Sequence, residues 1–423
     1  MFRSLAGRVL IALVLGLLAG AACHALGNAT LTSAAGAVEA IGGLWLNLLR
    51  MTIVPLVFCL LVTGIASVAD AAATGRLAAR AIALFSVLLV IAAVYSTVAT
   101  QGLLALWPVD PAGAAALRAG AGGADLANVV APGLADWLKS IAPSNPIKAA
   151  AEDAILPLVV FGVFFGFAAT RLPAGHRTAL ITLFSAVAET MIIIVRWVLW
   201  AAPLGVFALS LGVGLRAGLG AAGALAQYVA VVSLITAGIA VVPYIAVAFS
   251  RSVSLGAFAR AVAPVQVLAF STQSSLACLP AMLERAQDDL RIPPRVSGLV
   301  LPLAVAVFRL TSPVANLAVC YFVAHIYGVH PGLPQMLAAI AVSFAISVGS
   351  VGLPGQISFF ASVAPICLAL GVPIDLLPIL LAVEVVPDIF RTIGNVTGDL
   401  GAAAVLHRPG DEAEIVDPES APA

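Results

Sequence analysis

The chain has 423 residues, 62% hydrophobic and 9% charged, with a mean hydropathy of +1.12 and a formal net charge of zero. Soluble domains carry about 25% charged residues, so the apolar surplus must face lipid, and a soluble globular enzyme is excluded. A pI of about 7.0 leaves no basic footprint for nucleic acid.

The first segment, MFRSLAGRVLIALVLGLLAGAACHAL, carries Arg3 and Arg8 before an apolar run. Many further apolar stretches follow, so it reads as a first membrane span over 5–27 and not as a cleaved signal. Runs of about 20 or more apolar residues predict helices over 38–70, 77–107, 133–170, 176–214 and 221–250. The Pro/Gly/Ala-rich segment 108–132 reads as an exposed loop. Basic residues cluster before the first span (Arg3, Arg8) and after the second (Arg76, Arg80). They recur after the fourth (Arg171, His176, Arg177), after the sixth (Arg251, Arg260) and at Arg408. The positive-inside rule then places both ends in the cytoplasm, with an even number of spans. The last residues, PGDEAEIVDPESAPA, read as a disordered acidic tail.

After residue 255 the pattern changes. Two apolar segments, AFSTQSSLACLPAM (269–282) and AISVGSVGLPGQIS (345–358), are interrupted by small polar residues and proline. Each precedes one long helix, over 296–328 and 374–408. Matched interruptions in two halves of a membrane protein point to a binding site at membrane depth. Broken helices expose backbone N–H and C=O groups, which hydrocarbon tolerates only where they are buried or line a polar cavity.

The last helix carries EVVPDIFRTIGNVTGDLG (384–401). Ionisable groups at bilayer depth cost about 2.5–3.5 kcal/mol each, so they face a polar interior. Asp388, Arg391, Thr392, Asn395 and Asp399 follow helical spacing and share one stripe. The Arg391 fork suits a carboxylate and Asp388 suits an ammonium. Thr392 and Asn395 complete the polar lining, so a ligand with both a carboxylate and an amine satisfies the set. Cys23, Cys59, Cys278, Cys320 and Cys367 sit in apolar stretches without a CxxC pair, which argues for buried thiols and against a disulfide framework or metal site. Ser271, Ser274 and Ser275 have no Lys or His at a plausible partner position, and no HExxH or GxSxG occurs, so an intramembrane enzyme is not expected.

On these residues the chain resembles the glutamate transporter family of dicarboxylate/amino acid:cation symporters. LLRMTIVPLVFCLLVTGIAS (48–67), PSNPIKAAAEDAILPLVVFGVFFGFA (143–168) and APLGVFAL (202–209) are similar to its second, fourth and fifth helices. PDIFRTIGNVTGD (387–399) is the most specific match, to its last helix. The resemblance implies an all-α polytopic membrane protein with eight transmembrane helices, two re-entrant helical hairpins, inverted repeats and an elevator fold. It implies a scaffold of residues 1–74 and 111–217 and a transport domain of 75–110 and 218–410, with 411–423 as the tail. Within the latter, hairpin 1 falls near 256–290, helix 7 near 296–328, hairpin 2 near 331–368 and helix 8 near 374–408. It further implies a homotrimer in a bacterial inner membrane, surrounded by lipid, with an acidic amino acid or dicarboxylate as substrate. Site residues carried over are Ser274 and Ser275 at the first hairpin tip, Ser312, Gly352 and Pro354 at the second tip, Asp388, Arg391, Thr392 and Asn395.

The chain departs from that pattern at the expected sodium ligands. Phe308, Arg309, Leu310, Thr311 and Ser312 stand where the family has Asn-Met-Asp-Gly-Thr, and Phe85, Leu88 and Leu89 fall near its third-helix Tyr, Thr and Ser. Phenyl and alkyl groups offer sodium no oxygen. Arg309 is then expected either as a tethered cation paired with Asp399, replacing sodium, or as a gate or second carboxylate clamp. A proton is the natural coupling ion, with Glu384, Asp388 and Asp399 as carriers. Glu384 is favoured because Gln273 replaces the family's frequent Arg and leaves it without an evident partner. The competing expectations are a C4-dicarboxylate carrier and an anion-conducting channel. No cofactor and no metal beyond the coupling ion is expected.

Overall fold

The computed structural model describes residues 5–73, 75–120, 139, 141–152, 154–217, 220–349 and 355–407, and no strand occurs among them. The first half contains α1 (Leu5–Leu26), α2 (Ala29–Arg50), α3 (Ile53–Ala73), α4 (Arg76–Leu106), α5 (Pro111–Gly120), α6 (Pro146–Ala151), α7 (Ile155–Ala169), α8 (Ala174–Trp200) and α9 (Ala202–Ala217). The second contains α10 (Ala221–Ile239), α11 (Val241–Ser250), α12 (Leu255–Thr272), α13 (Ser275–Asp288), α14 (Pro294–Val307), α15 (Thr311–Tyr327), α16 (Leu333–Gly349), α17 (Gly355–Leu370), α18 (Leu377–Val383) and α19 (Val385–Leu406). Among the described residues, 7 stretches are long and apolar enough to cross a membrane, and the shorter apolar helices include α7 and α16. The chain is thus an all-helical, multi-pass membrane protein.

The first span and the third helix lie where the apolar runs place them. The other long apolar runs are each divided. The run expected over 38–70 starts at Ala29 and breaks at Met51–Thr52; 176–214 breaks at Ala201; 221–250 breaks at Ala240; 296–328 breaks over Phe308–Leu310; 374–408 begins at Leu377 and breaks at Glu384. A proline follows every break. Pro55, Pro203, Pro243, Pro313 and Pro387 lack the N–H that would bond the carbonyl four residues back, at Met51, Leu199, Ile239, Arg309 and Val383. Proline alone is not sufficient, because Pro264, Pro280, Pro302 and Pro365 sit inside continuous helices. The helix expected over 133–170 is also divided: among the described residues 141–145 are non-helical, and α6 and α7 follow them. Within the expected loop 108–132, residues 111–120 form α5. Asp110 caps it by accepting the Gly113 N–H at 2.8 Å, Pro111 is pre-set for a first helical position, and Leu117 is buried. The remainder of that segment and the acidic tail lie outside the described residues.

Close backbone approach holds α1 against α9. Gly16 and Gly20 on α1, four residues apart, face Ser210 and Gly214 on α9. A Cβ on Gly20 would lie 2.2 Å from the Leu211 carbonyl oxygen and 2.6 Å from the Leu215 nitrogen. Small residues at this spacing let helix backbones pack where the hydrophobic effect gives no drive between them. The imidazole Nδ1 of His24 lies 2.8 Å from the Leu215 carbonyl oxygen at the end of the same seam.

α12 and α13 form a helical hairpin turning at Gln273, whose φ of 51° is left-handed. α16 and α17 pack on each other as the second hairpin, and α19 lies against α10, α12 and α14. α15 runs through the middle of this half, buried along nearly its whole length. The core around the charged helix is therefore built from the C-terminal half plus α4.

Candidate functional site

The break between α14 and α15 meets α19 at close range. A Cβ on Gly394 would lie 2.4 Å from the Thr311 methyl carbon, so only glycine admits the start of α15 here. Asn395 Oδ1 accepts the Thr311 backbone N–H at 3.0 Å and lies 2.9 Å from the Thr311 hydroxyl. That hydroxyl is also 3.0 Å from the Arg391 carbonyl oxygen. The Asn395 carboxamide thus caps α15, satisfying a donor that a helix start would otherwise leave open. Thr392 donates to the Asp388 carbonyl at 3.0 Å.

Arg391 is the centre of a polar chain crossing four helices. Its Nη2 lies 2.7 Å from Glu384 Oε1, and its Nη1 donates to Asn316 Oδ1 at 2.9 Å. Tyr228 on α10 donates its phenol to Glu384 Oε2 at 2.8 Å. Asn316 donates to the Ser312 hydroxyl at 3.3 Å, which also receives the Ser347 hydroxyl of α16 at 3.2 Å. Glu384 is 4% exposed, Asn316 1% and Tyr228 0%, whereas the Arg391 side chain keeps 11% of its surface exposed. The expectation that Glu384 lacks a partner is corrected. Its carboxylate meets the guanidinium seven residues on, two turns along the same face, and a tyrosine from another helix.

Asp399 is completely buried, and neither carboxylate oxygen has a hydrogen-bond partner among the described residues. A buried carboxylate without compensation is costly. The charge of Arg309, in the break, bears on both Asp399 and Asp388. The cluster holds three carboxylates, on Glu384, Asp388 and Asp399, against two guanidiniums, on Arg309 and Arg391.

The first hairpin reaches the same helix lower down. Gln266 donates to the Thr397 hydroxyl at 2.9 Å. Ser274 caps α13 by accepting the Ala277 N–H at 3.3 Å, and Ser275 is its first residue; both are half-buried. Ser312 is buried and joins α15 to α16. Gly352 and Pro354 lie outside the described residues.

Where the resemblance expects sodium ligands, the rings of Phe85 on α4 and Phe308 in the break stack with centroids 4.5 Å apart and planes 8° from parallel. Leu88 and Leu89 are buried beside them. Offset or parallel ring stacking gives packing energy and no oxygen donor. A cavity of about 800 Å³ lies nearby, lined by Leu61, Ile65, Phe164, Phe167, Phe344 and Val348 among others. Ser86, its one polar lining residue, spends its hydroxyl on the Ile82 carbonyl, so the cavity has nothing to hold a charged ligand.

Tyr228 and Asn316 were not singled out by the sequence. Each is a polar residue in a largely apolar helix, and only the rule that such residues face protein rather than lipid could have flagged them.

The sequence model of the sodium:dicarboxylate symporter family matches residues 5–408. The chain is 28% identical over 405 residues to the proton/glutamate-aspartate symporter of Escherichia coli (strain K12), covering 95% of this chain and 92% of the relative. It is 27% identical over 422 residues to the proton/sodium-glutamate symport protein of Geobacillus stearothermophilus, covering 96% and 94%. It is 30% identical over 414 residues to the human neutral amino acid transporter B(0), covering 88% and 74%. With an arginine and three carboxylates gathered on a buried helix pair, and a match running from the first helix to the last, the chain belongs to the sodium:dicarboxylate symporter family.

Proposed function

We propose that the protein is a secondary carrier of acidic amino acids, aspartate or glutamate, that works without sodium and couples to protons. The observation that carries the substrate reading is Arg391 one turn from Asp388, on the helix that packs against the α14–α15 break. A guanidinium takes a carboxylate and Asp388 takes an amine. Ser274, Ser275, Ser312, Thr392 and Asn395, with Gly352 and Pro354 at the second tip, complete the cradle in this reading. The Escherichia coli relative, named a proton/glutamate-aspartate symporter, supports it.

Sodium independence rests on the Phe85–Phe308 stack, which leaves sodium no oxygens there. In this reading Arg309 pairs with Asp399 and stands as a fixed cation in place of the ion. Residues 1–74 and 111–217 form the scaffold, and 75–110 and 218–410 form the part that moves as an elevator. Reconstituted protein takes up labelled aspartate and glutamate saturably, and replacing sodium by choline changes the rate less than about twofold. Arg309→Met lowers affinity by about tenfold or more, because removing one partner of a buried pair strands the other. Uptake that rises steeply with sodium, or wild-type affinity in Arg309→Met, overturns the fixed-cation reading.

The homotrimer proposal draws on α8. Only 11% of its apolar stretch is buried, yet it carries Glu189 and Arg196 exposed within the span. Charges facing lipid are costly, and a neighbouring copy placing Arg196 against Glu189 relieves both. Native mass spectrometry from mild detergent gives a trimer, and Glu189→Arg shifts it toward monomer. A wild-type monomer refutes this assembly.

A further inference from the structure

We propose that Glu384, oriented by Tyr228, is the proton-coupling group, and that it couples by competing with the substrate carboxylate for Arg391. The proposal rests on the reading that Arg391 receives that carboxylate. The geometry supplies the competition. Glu384 Oε1 sits 2.7 Å from Arg391 Nη2, while Nη1 is engaged by Asn316 Oδ1 at 2.9 Å. Asn316 is neutral and can share a guanidinium with an incoming anion. An ionised Glu384 cannot, because two carboxylates on one fork in a buried site repel each other and only one is neutralised.

The step balances simply. A proton bonds to Glu384 Oε1, the oxygen facing Arg391, and the carboxylate becomes a neutral acid. The ion pair with Nη2 is lost, and the guanidinium is left to the substrate. Tyr228 goes on donating to Oε2 throughout, which fixes the orientation of the group in both forms. When substrate and proton leave, the anion returns to Arg391, so the empty site satisfies its own arginine.

Arg391 and Asp388 on α19 bear on Glu384 through their charge, and Tyr228 on α10 through its hydrogen bond. Beyond them, Cys320 on α15 faces Tyr228, with the Cys367 thiol of α17 3.2 Å behind it, and Arg309 in the α14–α15 break acts on Asp388. Asp388 is the nearest rival carrier, but its assigned partner is the substrate amine, which needs it ionised. Asp399 faces Arg309 and not Arg391. Of the three carboxylates, Glu384 is the one that lies against the group that the substrate must capture.

Binding of labelled aspartate to purified protein, measured between about pH 5 and about pH 9, tests this. Wild-type affinity falls toward about tenfold per pH unit once Glu384 ionises, the slope of one linked proton. Glu384→Gln mimics the neutral acid, so its affinity stays flat across the range. In vesicles that variant exchanges internal for external aspartate but does not concentrate it when a pH gradient is imposed. Tyr228→Phe removes a donor that favours the anion, so tight binding persists to higher pH with the slope retained. A flat wild-type profile, a Glu384→Gln profile that still follows the wild type, or a Tyr228→Phe profile that does not move overturns the proposal while leaving the carrier reading intact. Wild-type protein that binds no acidic amino acid at any pH removes the carrier reading itself and this proposal with it.

Discussion

Arg391→Ala abolishes saturable aspartate uptake and also lowers the melting temperature. Two losses combine in it. The substrate carboxylate loses its fork, and truncating one member of a buried, hydrogen-bonded charge pair costs about 2–5 kcal/mol, or roughly 30-fold to several thousand-fold in affinity. Glu384, 4% exposed, also keeps only the Tyr228 phenol in place of a cation at 2.7 Å. The stability loss and the transport loss separate in the double variant Arg391→Ala/Glu384→Gln, which has no stranded charge. It regains most of the wild-type melting temperature and still does not transport. Arg391→Lys keeps the charge but not the planar fork, and falls between the two in affinity. Robust acidic amino acid uptake by the double variant would sink the assignment of Arg391 to the substrate.

Gly20→Leu prevents the protein from being recovered as a stable, monodisperse species. A Cβ alone would meet the Leu211 carbonyl oxygen at 2.2 Å and the Leu215 nitrogen at 2.6 Å, and both are backbone atoms of a helix with no rotamer to yield. α1 and α9 must therefore separate, losing the Gly16–Ser210 approach and the His24–Leu215 contact along with the seam. Overpacking costs about 1–3 kcal/mol where side chains can adjust, and more where they cannot. Gly102→Leu is the matched control, since a Cβ there meets nothing within 4 Å. Size-exclusion profiles and thermal unfolding in detergent compare the two. Equal behaviour would show that the seam can open at little cost.

Much of this molecule is readable from hydropathy, because lipid forces long apolar runs to be helices. α1 and α4 end within a residue or two of where their runs end. The breaks at Met51, Ala201, Ala240, Arg309 and Glu384 are invisible to a hydropathy window, since Val, Ala, Phe and Leu continue across them. The signal lies in the prolines that follow, but prolines of the same kind at 264, 280, 302 and 365 leave their helices continuous. Tertiary packing decides which ones break. α5 was hidden by composition. Pro108 before Asp110–Pro111 and the alanines and glycines after it read as loop, although that dipeptide is itself a helix start.

The charged stripe on α19 was legible as a stripe, because spacing alone places Asp388, Arg391, Asn395 and Asp399 on one side. What each of them touches was not. Glu384 falls seven residues before Arg391, on the same stripe, but it sits at the break, so spacing alone could not say that the two meet. Its phenolic partner comes from 156 residues away in the chain. The stacking of Phe85 on Phe308 was likewise foreshadowed only as two missing ligands, and the structure makes them a single contact.

The grip of Glu384 on Arg391 has an electrical consequence. If the acid takes up one proton as a monoanionic amino acid arrives, the loaded protein carries the same total charge as the empty one. Neither half of the working cycle then moves net charge across the bilayer. Membrane voltage finds nothing to pull on, and the acidity difference between the two sides becomes the whole source of work.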